Sequence, residues 1–229
     1  LLADVATAFA LPPERKAELG AYGRQVIFDH YSVRRMAADC LNMYDQARRR
    51  KYHVVMSGYY GFGNAGDDAI LESIYQNIRA VSGEVSVTVL SNDPEQTRKQ
   101  YGIEAVPRFR MWKVFQALRR CDALLSGGGS LLQDATSTRS LVYYLSVIHC
   151  AQWLRKPVML YANGIGPVRK PANRRRVRQV VERAALVTLR DHASALELKQ
   201  MGITRPAVVT ADPVFHLEPA CRARSLALL

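Results

Sequence analysis

Cysteine is sparse and scattered: Cys40, Cys121, Cys150 and Cys221 are the only four in 229 residues, with no Cys-x-x-Cys pair among them. That spacing suggests neither a zinc site nor a disulfide framework, and mostly reduced, buried thiols of a cytoplasmic protein are the expectation. No apolar run reaches the roughly 18–20 residues that a membrane span needs. The leucine-rich start lacks a basic region followed by a cleavage site, so a soluble chain is expected. His30, His53, His149, His192 and His216 include no i, i+4 pair, which argues against a metal centre. His192, two residues past Arg190, has the better claim to chemistry among them, although a lone histidine is more often structural. Acidic residues are few, with 20 Asp and Glu against 32 Lys and Arg, a formal charge of +12 and a pI near 9.8. Such a balance favours acidic partners, namely nucleic acid, an anionic membrane surface or phosphorylated substrates, unless it is only a solvated charged face. No nucleic-acid module signature is present, so nucleic acid is not an expected partner.

What the sequence does have is an organising stretch at 52–68. The apolar run Val54-Val55-Met56 leads into Gly58, Gly61, Gly63 and Gly66, then Asp67 and a helical pattern. This reads as strand, glycine loop and helix. Glycine allows positive φ and close approach of a ligand to the main chain, and a helix N-terminus offers free amides and partial positive charge to an anion. No Gly-Lys-Ser/Thr follows, so the loop is not a Walker A loop. Gly61-x-Gly63-x-x-Gly66 fits the dinucleotide spacing, but one such match is weak, and a simple strand-to-helix turn stays open.

The first 51 residues read differently, as helix throughout. Leu1, Leu2, Val5 and Phe9 recur near helical spacing, Pro12 and Pro13 interrupt, 15–24 fits a second helix, and a third follows Ser32 as N-cap through Met36, Leu41 and Tyr44. It closes on Arg48, Arg49, Arg50 and Lys51, cations where a helix C-terminus favours them. From Tyr52 strand-like and helix-like segments alternate. Strands are expected at 85–90, 103–106, 123–125, 158–162, 186–189 and 207–209, and helices up to Tyr101 and at 111–120, 140–154, 174–184 and 194–201. In the helix at 111–120, Met111, Val114, Phe115 and Leu118 share one face. The alternation predicts an α/β fold, a Rossmann-like parallel sheet with helices on both faces, preceded by the helical segment.

Open sheets of this class bind ligands at the carboxyl ends of their strands, and the polar residues gather there. Ser126-Gly127-Gly128-Gly129-Ser130 follows one strand, with Asp134 close behind. Asn163-Gly164-Ile165-Gly166-Pro167 follows another, Arg190-Asp191 a third with Ser194 placed to cap the next helix, and Asp212-Pro213 a fourth. Three consecutive glycines argue for backbone approach to a ligand. Arg190 is the best anion anchor, since a guanidinium grips carboxylate or phosphate in two places, although an ion pair with Asp191 would also satisfy it. Asp67 and Asp134 fit a base or an acceptor of sugar hydroxyls; a helix-end role for Asp67 and a surface turn for Asp134 are the plainer readings. The basic run from Arg169 to Arg178 reads as a solvated helix face or as a guide toward a membrane surface.

Two resemblances follow. Ser57-Gly58-Tyr59-Tyr60-Gly61-Phe62-x-Asn64-x-Gly66-Asp67, Ser126 to Asp134, Asn163 to Pro167, Arg190-Asp191 with Ser194, and Asp212-Pro213-Val214 resemble the polysaccharide pyruvyl transferases over about 52–217, most closely the CsaB type that modifies secondary cell-wall polysaccharide. The resemblance implies the N-terminal half of a GT-B-like, two-domain architecture. It also implies transfer of a pyruvyl group from phosphoenolpyruvate to a sugar of a lipid-linked precursor, with no metal or cofactor. The substrate-binding set it implies is Arg190, Gly61, Asn64, Gly66, Asp67, Ser126, Gly127, Gly128, Gly129, Ser130, Asp134, Asn163, Gly164 and Gly166. Residues 1–51 resemble the C-terminal tail of family-4 GT-B glycosyltransferases through Pro13-Glu14-Arg15, Gly20-x-x-Gly23-Arg24, Tyr31-Ser32, Met36 and Tyr44, which implies a fused or neighbouring glycosyltransferase.

The pattern departs from a whole transferase in one respect. A second domain of about 150 residues is expected beyond Asp212, and seventeen residues remain here, 213–229, so 218–229 reads as a linker or the start of that domain. The general acid is expected in the second domain, no catalytic residue is assigned, and this stretch by itself is expected to be incomplete. Two other readings stay open: a nucleotide-sugar glycosyltransferase domain on the same architecture, and a non-catalytic binding module. The expected place of action is the cytoplasm, at or near the inner face of the cell membrane.

Overall fold

The computed structural model describes residues 10–48 and 51–217. The chain divides into two compact units, Leu1–Arg50 and Lys51–Leu229. In the first, helices α1 (Pro13–Tyr31) and α2 (Val33–Arg48) meet at Ser32, whose hydroxyl accepts from the Arg35 amide at 3.3 Å. Helix α1 begins ahead of the 15–24 pattern because Pro13 sits in its first turn, where a missing N–H costs nothing, and it runs on past that pattern to Tyr31. It buries no residue, and Tyr22, Phe28, Tyr31, Met36 and Tyr44 of this unit are exposed. The expectation built on Leu1, Leu2, Val5 and Phe9 lies outside the described residues, as does Cys221. Cys121 is buried and Cys150 half-buried, but Cys40 is exposed, so the buried-thiol expectation fails there.

In the second unit seven parallel strands form one sheet in the order β3-β2-β1-β4-β5-β6-β7. They are β1 (Tyr52–Tyr60), β2 (Val85–Ser91), β3 (Glu104–Pro107), β4 (Ala123–Gly127), β5 (Val158–Asn163), β6 (Leu186–Leu189) and β7 (Val208–Val209). Between them run α3 (Ala65–Val81), α4 (Pro94–Tyr101), α5 (Met111–Arg120), α6 (Thr138–Trp153), α7 (Pro171–Glu182) and α8 (His192–Gln200), and a 3-10 turn spans Pro213–His216. Strand order reverses between β1 and β4, which is the switch point where such sheets open a crevice.

Two cores flank the sheet. On one side α3 sets Ile70, Leu71 and Ile74 against Met56, Val89 and Leu125. On the other α5, α6 and α7 set Leu118, Leu141, Ile148 and Val177 against Val55, Leu124 and Leu160. Strands buried on both faces need apolar side chains at successive positions, which is why Val54-Val55-Met56 and Val158-Met159-Leu160 do not alternate with polar residues.

Local chemistry sets the boundaries. Asn64 caps α3, Asp93 caps α4 with Pro94 directly behind it, and Gly102 ends α4 at φ 64°. Strand β1 runs past the expected apolar core to Tyr60, with an irregularity in register between Ser57 and Tyr60, so Gly58 is a strand residue and not part of the loop. A Cβ there would sit 2.2 Å from the Tyr60 ring. Helix α8 is capped by Asp191, not Ser194: the Asp191 carboxylate accepts from both the amide and the hydroxyl of Ser194, each at 2.7 Å. In α5 the buried face is Val114, Ala117 and Leu118; Met111 is exposed and Phe115 only half-buried.

Candidate functional site

Ser57 of β1 is in register with Ser126 of β4, and both strands point the same way, so the loops after them open on one edge. Arg190 leaves the end of β6 at that edge. Its Nη2 donates to Ser130 Oγ at 2.8 Å, its Nε to Asp191 Oδ2 at 3.4 Å, and its Nη1 lies 3.6 Å from Asp212 Oδ2. The last two contacts are long, and the side chain is about one-third exposed, so the fork keeps capacity for a ligand.

The glycines make room for this cluster. A Cβ on Gly164 would lie 2.7 Å from Ser130 Oγ and 2.9 Å from Arg190 Nε, and one on Gly129 would lie 3.1 Å from Asp67 Oδ1. The Gly164 amide donates to the Gly129 carbonyl at 3.0 Å, which ties the two loops together. Asp67, in the first turn of α3, is half-buried; burial, then the neighbouring Asp68, pushes its carboxyl up, and Arg190 pulls the other way. Asp67, Gly129, Ser130, Gly164 and Arg190 therefore come together, with Asp191 and Asp212 beside them.

Other members of the predicted set lie beneath or apart. Ser126, Gly127, Gly128 and Asn163 form the floor: Asn163 Nδ2 donates to the Ser126 carbonyl at 2.7 Å, and Tyr60 Oη to that of Gly127 at 2.8 Å. Gly128 has φ 75°, and a Cβ there would come within 2.0 Å of Ile70 Cγ2. Ser126 Oγ and Asn163 Oδ1 are buried without a hydrogen-bond partner among the described residues. Gly61, at φ 75°, packs on Ser91 at the end of β2, and Gly166, at φ 91°, on Glu197.

The first glycine loop has fewer free amides than its sequence suggests. Asn64 Oδ1 accepts from the amides of Gly66 (3.0 Å) and Asp67 (3.4 Å), and the Gly61 amide holds Asp68, partly offsetting the upward push of burial. Asp134 stands apart from Arg190. Its carboxylate accepts from the amides of Arg169 (2.8 Å) and Lys170 (3.1 Å) and from Asn173 Nδ2 (2.8 Å), closing the start of α7. Desolvation works to raise the Asp134 carboxyl, but these donors together hold it below its ordinary range.

One residue escaped the sequence reading altogether. Arg108, directly after β3, is buried, donates from Nη1 to the Gly58 carbonyl at 2.9 Å, and sits among the rings of Tyr143 (4.4 Å), Phe62 (5.0 Å), Tyr144 (5.2 Å), Phe109 (5.2 Å) and Tyr59 (6.0 Å). No carboxylate pairs with it among the described residues, and its Nε and the Tyr144 hydroxyl are buried without partners there. The signal available was an arginine at a strand's carboxyl end, beside Phe109 and facing the Tyr59-Tyr60-Gly61-Phe62 run.

Among the described residues no cluster of histidine, cysteine and carboxylate groups could hold a metal ion, and no helix is long and apolar enough to cross a membrane. A seven-stranded parallel sheet with helices on both faces, and with glycine-lined loops and a guanidinium at its switch-point edge, defines a Rossmann-like domain. The polysaccharide pyruvyl transferase family matches residues 64–228, and the chain belongs to that family of transferases. It is also similar to the Amylovoran biosynthesis protein AmsJ of Erwinia amylovora, 23% identical over 204 residues that cover 71% of this chain and 48% of that protein. The chain thus spans about half the length of this curated relative.

Proposed function

We propose that this unit binds the donor in a transferase that moves a pyruvyl group from phosphoenolpyruvate to a sugar, forming a pyruvate ketal on a lipid-linked polysaccharide precursor at the cytoplasmic face of the membrane. Family membership supports the reaction class. The single observation that carries the donor assignment is Arg190, held by Ser130 at the glycine-lined edge with two long contacts it can release. In this reading the guanidinium grips the donor's carboxylate or phosphate. Protonation of the donor's methylene carbon makes C2 electrophilic, a sugar hydroxyl adds there, inorganic phosphate departs with the C–O bond electrons, and a second hydroxyl of the same sugar closes the ketal. Asp67, with its carboxyl pushed up by burial, is placed to accept a proton from an attacking hydroxyl.

Charge supports a divided site. Asp67, Asp191 and Asp212 surround one guanidinium, so Arg190 is assigned the donor's singly charged carboxylate, the flanking aspartates the hydroxyls of the sugar, and the multiply charged phosphate is left to cations outside this unit. The general acid and the remaining cations for the donor are assigned to a second domain, closing over this edge in a GT-B-like arrangement. Residues 1–51 are assigned to a glycosyltransferase tail, a reading supported by the exposed apolar side chains of α1 and α2.

Calorimetric titration of this chain, alone and extended by the second domain, tests the assignment. Binding of phosphoenolpyruvate in preference to UDP-sugars is expected. UDP-sugar binding without a phosphoenolpyruvate response would replace it with a glycosyltransferase reading, and binding of neither by the extended chain would leave a non-catalytic module.

A further inference from the structure

Both tryptophans of the chain, Trp112 and Trp153, lie on the face built by α5, α6 and α7, and they are 68% and 71% exposed. Phe115 bridges them, with ring centroids 5.6 Å from Trp112 and 6.4 Å from Trp153. Beside this ridge an apolar groove of about 670 Å³ is lined by Phe115, Val142, Leu145, Cys150 and Val180. On the far side of Trp153 a hollow of about 430 Å³ is lined by Arg155, Lys156 and Arg183. Among the described residues no carboxylate lines either.

The charge of the face has one sign. Lys113, Arg119, Arg120, Arg139, Arg175, Arg176 and Arg178 project from the three helices, and Glu182 is their single acidic residue, its carboxylate taken up by Thr204. The helices on the opposite face mix the signs, with Asp67, Asp68, Glu72 and Glu95 beside Arg79, Arg98 and Lys99. A tryptophan ridge among cations, with a single carboxylate on the three helices, matches an anionic bilayer, which takes indole rings at headgroup level and attracts basic side chains.

We propose that this face rests on an anionic phospholipid membrane, with Trp112 and Trp153 at the interface, acyl chains against the apolar groove, and a lipid phosphate in the Arg155–Arg183 hollow. The inference stands on exposure and charge and is independent of the donor assignment. It gives the α5–α6–α7 face, and not the Arg169–Arg178 run alone, as the surface that brings the carboxyl edge near a lipid-linked substrate.

Because no other tryptophan exists in the chain, its fluorescence reports on this face alone. The full chain is titrated with phosphatidylcholine vesicles, with and without phosphatidylglycerol, carrying brominated acyl chains. A blue shift and bromine quenching are expected with the anionic vesicles only. Arg155→Asn with Arg183→Gln should weaken that response about tenfold or more; Arg155 has φ 57°, which asparagine tolerates. Trp153→Ser should remove its own share of the quenched emission and leave that of Trp112, with thermal melts showing both variants folded. An emission spectrum that anionic vesicles leave unchanged, or an equal response to neutral ones, overturns the proposal. So does a lipid-free chain that is already dimeric with blue-shifted emission, which would make the face a contact between copies.

Discussion

Arg190 and Ser130 are sixty residues apart in the chain, yet the guanidinium donates to the hydroxyl at 2.8 Å across the ends of β6 and β4. That bond fixes the fork at the edge where the glycine loops open, and Gly164 is the residue whose missing side chain leaves room for it.

Gly164 and Gly128 should therefore fail in different ways. In Gly164→Ala the new methyl crowds Ser130 and Arg190, so binding of the proposed donor, phosphoenolpyruvate, should fall about tenfold while stability changes by about 1 kcal/mol or less. In Gly128→Ala the methyl meets the Ile70 side chain at a left-handed backbone, which costs roughly 2–4 kcal/mol. Urea unfolding and ligand titration of the two variants separate the effects; equal loss of stability in both would contradict this division.

Arg108 is expected to be structural. Arg108→Ala removes the bond to Gly58 and the contacts with five aromatic rings, a loss of roughly 2–4 kcal/mol. Chemical denaturation measures it. A variant as stable as the parent would show that the buried cation contributes nothing to the edge.

Asp67 and Asp134 should respond to pH with opposite signs. The folded-state carboxyl of Asp67 is raised above its ordinary 3.8, so its favourable contribution is full below that value and is lost as pH rises through the folded value. Asp67→Asn should thus melt higher than the parent at pH 7, by an amount that shrinks as pH falls toward 4. The Asp134 carboxyl is depressed, so its stabilisation is full above 3.8 and is lost as pH falls through the lower folded value. Asp134→Asn should melt lower than the parent at pH 7, by about 1–2 kcal/mol, the scale of a helix cap. Melting curves at pH 4 and 7 test both; an Asp67→Asn variant less stable than the parent at pH 7 would make that carboxylate structural.

Most of the fold was legible because its causes are local. Valine-rich runs without alternation mark strands buried on two faces, and each is followed by the glycine, asparagine or aspartate that a strand-to-helix turn needs. Edge residues such as Arg190 and Ser130 could be gathered from the rule that parallel strands put their carboxyl ends together. The contacts of Arg108 were not legible, since its cage joins β1, the loop after β3 and α6, and no short stretch encodes that meeting. The cap at Asp191 was misread for a subtler reason: Ser194 and Asp191 are both good capping residues, and the backbone settles which stands outside the helix.

The central claim is that Arg190 holds the proposed donor, and acceptor-dependent phosphate release from phosphoenolpyruvate by the chain extended with the proposed second domain tests it most directly. Arg190→Ala should lower kcat/KM by about 2–4 kcal/mol, roughly thirty- to a thousandfold, with the melting temperature little changed. Turnover equal to that of the parent would remove Arg190 from the site and the donor assignment with it.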